Sequence, residues 1–378
     1  MTDTVGDWVD LVHTRYPPEH ATDWDQVGLQ VGDRSWPVNR VLITLDVTSA
    51  VVAEAAAGPP TLVVAHHPLL FRPLRRLTAD TASGRVALAA ARAAVAVLAA
   101  HTNLDVAQDG AGTSDPVMRC LDIVDPDPLT HQPAAGGEMK LVTFVPPEHV
   151  GRVLDALAAV GAGVIGDYER CSFRVRGTGT FRPRTGADPH VGTVGRDNQV
   201  VEDRLEIVVP AERIAPAVAA LLRTHPYEEV AYDLYPLARG DRASFGRVGD
   251  LPRPGALREV ATRIRDRLPA PHLRYAGDPD RTIRRVAAVG GSGQGFVTEA
   301  LRAGADVLVT GDLKHHGVLD ALESGLAMID AGHHATEHAA IEPWLQRLQA
   351  DARRQGLRAD LVASRTSTVP WVGDAAGP

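Results

Sequence analysis

The chain has 378 residues, enough for two or three domains with a substantial core. A net charge of -8, with 44% hydrophobic and 23% charged residues, describes a globular protein lacking the basic balance that duplex nucleic acid asks for, so nucleic acid is not an expected partner. No apolar run reaches the roughly 18 residues of a membrane span, and Met1 to Asp10 shows no basic stretch leading an apolar core, so a cytoplasmic chain with no membrane partner is expected.

Cys120 and Cys171 are the only cysteines and have no C-x-x-C spacing, which disfavours a disulfide framework or a thiolate zinc site. Lysine occurs only at Lys140 and Lys314 among 39 basic residues, so Lys314 stands out as a compact ammonium in a chain that otherwise uses guanidinium.

Taken in order, Trp24 to Gly32 reads as a polar loop entering an extended piece, with Gly28 and Gly32 permitting unusual dihedrals. Val41 to Leu45 reads as a strand, Thr48 as the cap of a helix through Val51 to Ala56, and Leu62 to Ala65 as a buried strand ending in His66-His67-Pro68. A helix over Arg85 to Ala93 and a strand over Val95 to Ala100 lead to His101-Thr102-Asn103-Leu104-Asp105. This βαβαβ alternation predicts a mostly parallel sheet with His66, His67, His101 and Asp105 along one edge, where open α/β sheets bind ligands.

Pro126 to Gly137 is rich in Pro, Ala and Gly and reads as a linker. Beyond it come strand Met139 to Val145, helix Pro147 to Val160, strand Cys171 to Phe181, strand Arg204 to Val209, helix Glu212 to Arg223 and strand Glu229 to Leu237, the split βαβ order of a ferredoxin-like domain. His225-Pro226-Tyr227-Glu228-Glu229 with Tyr232 and Tyr235 is either a contact surface or an edge strand packed by its own aromatics.

The α/β pattern then resumes. Leu257 to Leu268 reads as a helix and Arg285 to Val289 as a strand, followed by Gly290 to Phe296, a loop that either cradles a phosphate or makes a tight strand-to-helix turn. Phe296 stands where a dinucleotide fingerprint needs its third glycine, which favours the turn. Strand Asp306 to Val309 ends in Thr310-Gly311-Asp312, and strand Leu326 to Ile329 leads to Asp330 and on to His338. The tail after Ser364 lacks pattern, and its end, 371–378, is expected to be disordered.

Histidines 66, 67, 101, 315, 316, 333, 334 and 338 fall in four short clusters, each just after a predicted strand. An adjacent His pair is by itself more readily a solvated turn than a metal site, but four such clusters on strand ends shift the reading to metal. On a helix His333 and Glu337 share one face. With His66, His67 and Asp105 they form a nitrogen and oxygen donor set suited to zinc, manganese or iron. Three imidazoles and two carboxylates exceed what one ion with an open position takes and suffice for two, though spacing alone leaves one ion or two open.

The segments WDQVGLQVG (24–32), AHHPLLF (65–71), HTNLD (101–105), TGDLKHH (310–316) and DAGHHATEH (330–338), in this order, resemble the Nif-3-like dinuclear-metal-centre family, whose members are often named GTP cyclohydrolase I type 2-like. The resemblance runs from about residue 8 to 370, and Gln26 stands where the family commonly has Asn. It implies five metal ligands, His66, His67, Asp105, His333 and Glu337, holding two divalent ions per chain (zinc, iron or manganese). His101, Asp312, Lys314 and His316 are then candidates for moving a proton or binding an anionic substrate. It also implies two α/β lobes with mostly parallel sheets, 1–130 and 245–370, an inserted PII- or CutA-like ferredoxin-like domain at 137–240, and a toroidal homohexamer.

Two functions compete. The first is a dinuclear metal-dependent hydrolase using a metal-bridged hydroxide on a nucleotide or other phosphorylated substrate; for GTP, water attacks C8 and the ring opens with release of formate. The second is a non-enzymatic hexameric metal-binding scaffold or regulatory protein acting through its inserted domain.

Overall fold

The computed structural model describes residues 2–107, 109–130, 138–165, 168–237 and 244–371. Most of the predicted linker and all but the first residue of the predicted 371–378 tail lie outside these residues. Two compact units result, one formed by 1–132 with 241–378 and the other by 133–240.

The first unit begins with strand β1 (Asp3–Thr4) and helix α1 (Val5–Arg15). Thr4 starts the helix: its hydroxyl accepts from the Asp7 amide while the Asp7 carboxylate takes the Thr4 amide. After β2 (Gly28–Val31) and β3 (Pro37–Val38), which pairs with β1, comes the expected alternation of β4 (Arg40–Thr44), α2 (Ser49–Ala56), β5 (Thr61–Ala65), α3 (Ala82–Arg92) and β6 (Ala96–Ala99). Every residue of β5 and β6 is buried, and their unbroken Val, Leu and Ala runs suit strands covered on both faces. β4, β5 and β6 run parallel, and only the edge strand β2 runs against its neighbour β6. Trp8, Leu11 and Val12 of α1 pack on one face; Val51, Val52 and Val86 from α2 and α3 pack on the other against Leu42, Val63 and Val97. The one-turn helix α4 (Thr102–Asp105), then α5 (Asp115–Cys120) and β7 (Asp127–Pro128), complete this stretch.

The second unit follows the order β8 (Glu138–Val145), α6 (Val150–Ala158), β9 (Ser172–Phe181), β10 (Asn198–Pro210), α7 (Ile214–Thr224) and β11 (Tyr232–Pro236). Its strands lie in the order β11-β8-β10-β9, every neighbour antiparallel. Val150, Val153 and Leu157 recur at helical spacing on α6 and join Ala217 and Leu221 of α7 over Leu141, Val145, Leu205 and Ile207 of the sheet. His225 is a structural member of this unit. Its Nε2 lies 3.0 Å from the Phe144 carbonyl and its Nδ1 takes the Tyr227 amide, while Tyr232 and Tyr235 stay exposed on the edge strand β11.

The first unit resumes with β12 (Arg247–Ala256), α8 (Leu257–Arg267), β13 (Arg274–Ala276), β14 (Thr282–Ala288), α9 (Val297–Arg302), β15 (Val307–Thr310), α10 (His315–Glu323), β16 (Ala327–Asp330), α11 (His333–His338), α12 (Ile341–Gln355) and β17 (Asp360–Ala363). Six strands form a sheet in the order β13-β16-β15-β14-β12-β7. The expectation of a mostly parallel sheet fails here. β14, β15 and β16 are parallel, whereas β7, β12 and β13 run against the strands they join. Parallel pairing needs a crossover, and α9 and α10 supply the two used in this sheet. The fold is therefore mixed α/β. β12 is hidden in the sequence because Gly249, Pro252, Pro254 and Gly255 read as a loop; a register shift between Asp250 and Gly255 admits them.

Chain order and layering part company at both ends of these sheets. β7, inside the predicted linker, belongs to the six-stranded sheet, and Val117, Met118 and Leu121 pack into that sheet's core. Conversely, Trp344, Leu345 and Leu348 of α12 bury into the core of the first sheet, where β17 pairs in parallel with β4. The Asp3 carboxylate fastens this return by accepting from the Arg358 and Ala359 amides. Ordered contacts continue past Ser364: Glu54 accepts from the hydroxyls of Ser364 and Thr366 and the amide of Arg365.

Candidate metal centre

Parallel strands in register bring the site together. Thr44 of β4 stands beside Ala65 of β5, and Ala65 beside Ala99 of β6. Two residues past this row come Asp46, His67 and His101, so three side chains from three strand ends are neighbours before any loop is considered. Backbone hydrogen bonds keep the row going: the His66 and His67 amides donate to the Thr44 and Leu45 carbonyls, and the Ala100 amide to that of Ala65. On the other sheet, Gly332 at φ +86° turns the chain from β16 into α11, which projects His333 and Glu337 from one face.

Glu337 is the hub. One carboxylate oxygen, Oε2, is 3.0 Å from His67 Nε2 and 3.1 Å from His333 Nε2; the other, Oε1, is 3.6 Å from His66 Nε2. His67 Nε2 and His333 Nε2 are 3.2 Å apart, and His66 Nε2 is 3.5 Å from Asp105 Oδ1. The ligand atoms of His66, His67 and His101 all lie within 4.8 Å of one another, as do those of His67, His333 and Glu337.

Each imidazole is oriented through its far nitrogen. His66 Nδ1 lies 3.1 Å from the Ala100 carbonyl, His67 Nδ1 2.8 Å from Asp46, His333 Nδ1 2.7 Å from Asp312 and His101 Nδ1 2.9 Å from Asp25. Asp25 is itself held by the Thr102 amide, and Asp105 accepts from the Thr113 hydroxyl at 2.6 Å. This is the outer hydrogen-bonding that fixes ring orientation in metal sites.

Electrostatics agree with a cation-seeking cluster. Burial opposes charge on His67, but Asp46 and Glu337 outweigh it and raise the imidazole to about 10. For His333, burial is likewise overcome by Glu337 and Asp312, which bring it to about 9. Burial pushes the Glu337 carboxyl up, and the charge of His66 with the contacts from His333 and His67 holds it well below the usual range. His66 Nε2 is a buried nitrogen with no hydrogen-bond partner. A divalent cation of borderline softness satisfies such an orphan and replaces the protons that otherwise bind between imidazole and carboxylate, so the donor set fits a metal.

His66, His67, Asp105, His333 and Glu337 thus lie together, and His101 joins them. Asp312 stands behind His333. Lys314 and His316 are exposed, and among the described residues no hydrogen bond or ion pair links either side chain to the cluster. The glycine loop after β14 makes a tight turn: the amides of Gly290, Gly291 and Gly293 are committed to Ser114, Thr336 and Thr310. Gly291, at φ +67°, has no room for a Cβ, which would run into Glu337 Oε1. Asp25 and Asp46 escape a reading of the sequence for ligands, and for Asp46 the signal is strand register. Asp25 has only its place in WDQVG to mark it.

The profile of the Duf34/NIF3 (NGG1p interacting factor 3) family matches residues 4–370. This chain belongs to the Duf34/NIF3 family. A relative from Halalkalibacterium halodurans, named GTP cyclohydrolase 1 type 2 homolog, is 38% identical over 359 residues, 94% of this chain and 95% of its own. Among solved structures, a Bacillus cereus protein related to NIF3 is 35% identical with a TM-score of 0.73, covering 99% of this chain and 100% of that one. Staphylococcus aureus protein SA1388 is 28% identical with a TM-score of 0.82, covering 98% and 99%. The Duf34/NIF3 match spans residues of both sheets and of the 133–240 unit.

Proposed function

We propose that this Duf34/NIF3 chain is a metal-dependent hydrolase acting on a nucleotide or another phosphorylated substrate. The observation that carries the reading is the placing of Glu337, whose two oxygens face two sets of donors. His66 and Asp105 lie on one side, His67 and His333 on the other. These five residues would hold two divalent ions, zinc, iron or manganese. Bound there, such ions supply Lewis-acid polarisation and water activation near neutral pH.

The chain's own groups take the remaining roles. His101, aimed by Asp25, holds or moves a proton at its Nε2 beside the cluster. Asp312 orients His333. Lys314, at the start of α10, and His316, in its first turn, are exposed and offer positive charge to an anionic substrate. The relatives' name points to GTP, for which the reaction is hydrolytic opening of the imidazole ring with C8 leaving as formate. Elemental analysis of protein purified without added metal, followed by GTP turnover and formate release, tests the reading. Two ions per chain with product formation support it; a loaded protein that leaves GTP and a generic phosphodiester unchanged refutes it.

A second reading, a hexameric metal-binding scaffold or regulator, draws on the separate core of the 133–240 unit. Its βαββαβ order and antiparallel sheet fit a ferredoxin-like, PII- or CutA-type module, a natural seat for a regulatory ligand. A toroidal homohexamer in the cytoplasm is compatible with either reading. His67→Ala separates them: loss of assembly with loss of metal favours the scaffold, and an intact, inert oligomer favours catalysis.

A further inference from the structure

Large aromatic side chains left in water beside a polar site need a reason, and two stand here. Trp24 is 58% exposed and Phe71 46%. Their ring centroids are 5.8 Å apart in an edge-to-face arrangement, and each ring also meets His101 edge-on, at 6.1 Å and 6.3 Å. His101 in turn lies 5.0 Å from the His66 ring and 5.6 Å from the His67 ring. The aromatic pair therefore borders the candidate metal centre with one imidazole between.

The pair is held in place by its neighbours. Gln30 ties the two segments together: its Nε2 donates to the Gln26 carbonyl at 2.8 Å and its Oε1 accepts from the Leu70 amide at 2.9 Å. Asp25, next to Trp24, is anchored to His101 and Thr102. Both rings thus sit on backbone whose position is set by side-chain bonds to the site. Such preorganisation lowers the ordering cost of capturing a flat ligand.

Charge narrows the ligand's chemistry. The loop that bears Phe71 continues through Arg72, Arg75 and Arg76, all exposed, and among the described residues none has an ion pair or hydrogen bond. In a chain of net charge -8, three unpaired guanidiniums following an exposed ring favour an anionic partner. A planar ring and negative charge occur together in a nucleoside phosphate.

We propose that Trp24 and Phe71 form a stacking platform for the base of a nucleoside phosphate at the edge of the candidate metal centre, making them specificity-determining residues. The proposal deepens the hydrolase reading and rests on it for the chemistry of the neighbouring site. Every base offers a π-face, so the platform selects a flat heterocycle over a bare sugar phosphate and leaves the choice among bases to other groups.

The test is equilibrium binding to the full-length, zinc-loaded chain, with guanosine 5′-monophosphate, adenosine 5′-monophosphate and ribose 5-phosphate as probes. Both nucleotides are expected to bind about tenfold or more tightly than ribose 5-phosphate. Trp24→Ala and Phe71→Ala should each remove roughly that factor for the nucleotides, leaving ribose 5-phosphate binding and zinc content unchanged. Quenching of indole fluorescence by the nucleotides should vanish in Trp24→Phe, which keeps a flat ring and most of the affinity, so the outcome stands even if an alanine variant misfolds. Equal affinity for ribose 5-phosphate and the nucleotides overturns the proposal. So does nucleotide binding unaffected by the substitutions, or a fall in assembly mass showing that the rings pack against a second copy. Turnover does not enter these readouts: a platform that binds nucleotides in a protein inert toward both GTP and a generic phosphodiester refutes the hydrolase reading alone.

Discussion

On the five-stranded sheet two of the site residues are sunk into the fold. His66 is 1% exposed and the Asp25 side chain is fully covered, with every imidazole braced by a carboxylate or carbonyl that is itself held. On the six-stranded sheet the His333 side chain keeps a third of its exposure, and Asp312, which orients it, is 59% exposed. Water competes for Asp312 in a way it cannot for Asp25. Glu337, from the same helix as His333, is 4% exposed, so the difference between the halves lies in the bracing carboxylates: covered behind His101, partly open behind His67 and most open behind His333.

The contrast sets out what should break and by how much. The largest effect falls on the buried half's foundation: Trp344→Ala, which strips the α12 anchor from the first sheet's core, is expected to cost about 3–5 kcal/mol in denaturant unfolding. A cost near zero would mean that α12 contributes little to that core. Glu337→Gln should reduce metal retained on dialysis by more than the roughly 100-fold that loss of an outer partner reaches, because both donor sets share that carboxylate.

Acidity gives the next effect. With the His67 imidazole raised to about 10 and that of His333 to about 9, both carry protons at neutral pH in the metal-free protein. Those protons must leave before either Nε2 can bind an ion, so apparent metal affinity should climb through pH 7–9 by about tenfold per unit for each proton released and level off only near pH 10. The sign for metal-free stability is opposite: the contribution of protonated His67 is complete below about 6.5 and is lost as pH rises through about 10. Titration calorimetry in buffers of different ionisation enthalpy counts the protons; an affinity that levels off near pH 6.5 contradicts the coupling.

The smallest effects separate the two halves directly. Asp46→Asn and Asp312→Asn each remove one carboxylate behind one imidazole, and outer partners are worth roughly 10–100-fold in metal affinity. Asp46, 34% exposed, should sit at the upper end of that range and Asp312 at the lower. Equal losses would erase the distinction drawn between the sheets.

How much of this was legible beforehand depends on whether the signal is local. The strand-end histidines and the His333–Glu337 pair are visible because a buried strand is an unbroken apolar run and a helix repeats every three to four residues. β12 was not visible, since its Pro and Gly residues mimic a loop and only the partner β14 makes them a strand. Nor was Asp46, which matters because Thr44 pairs with Ala65 and not with a neighbour one step away.

By itself the sequence determined the βαβαβ start, the separate βαββαβ segment and the residue types gathered for a candidate nitrogen and oxygen metal site. The tertiary structure alone decided that α12 and β17 return to the first sheet, that Gly291 must lack a side chain to leave room for Glu337, and that Trp24 and Phe71 stand beside His101. Local patterns are set by propensity and periodicity over a few residues. Which strand ends meet is set by register and by burial shared between segments that lie hundreds of residues apart, and no local pattern records it.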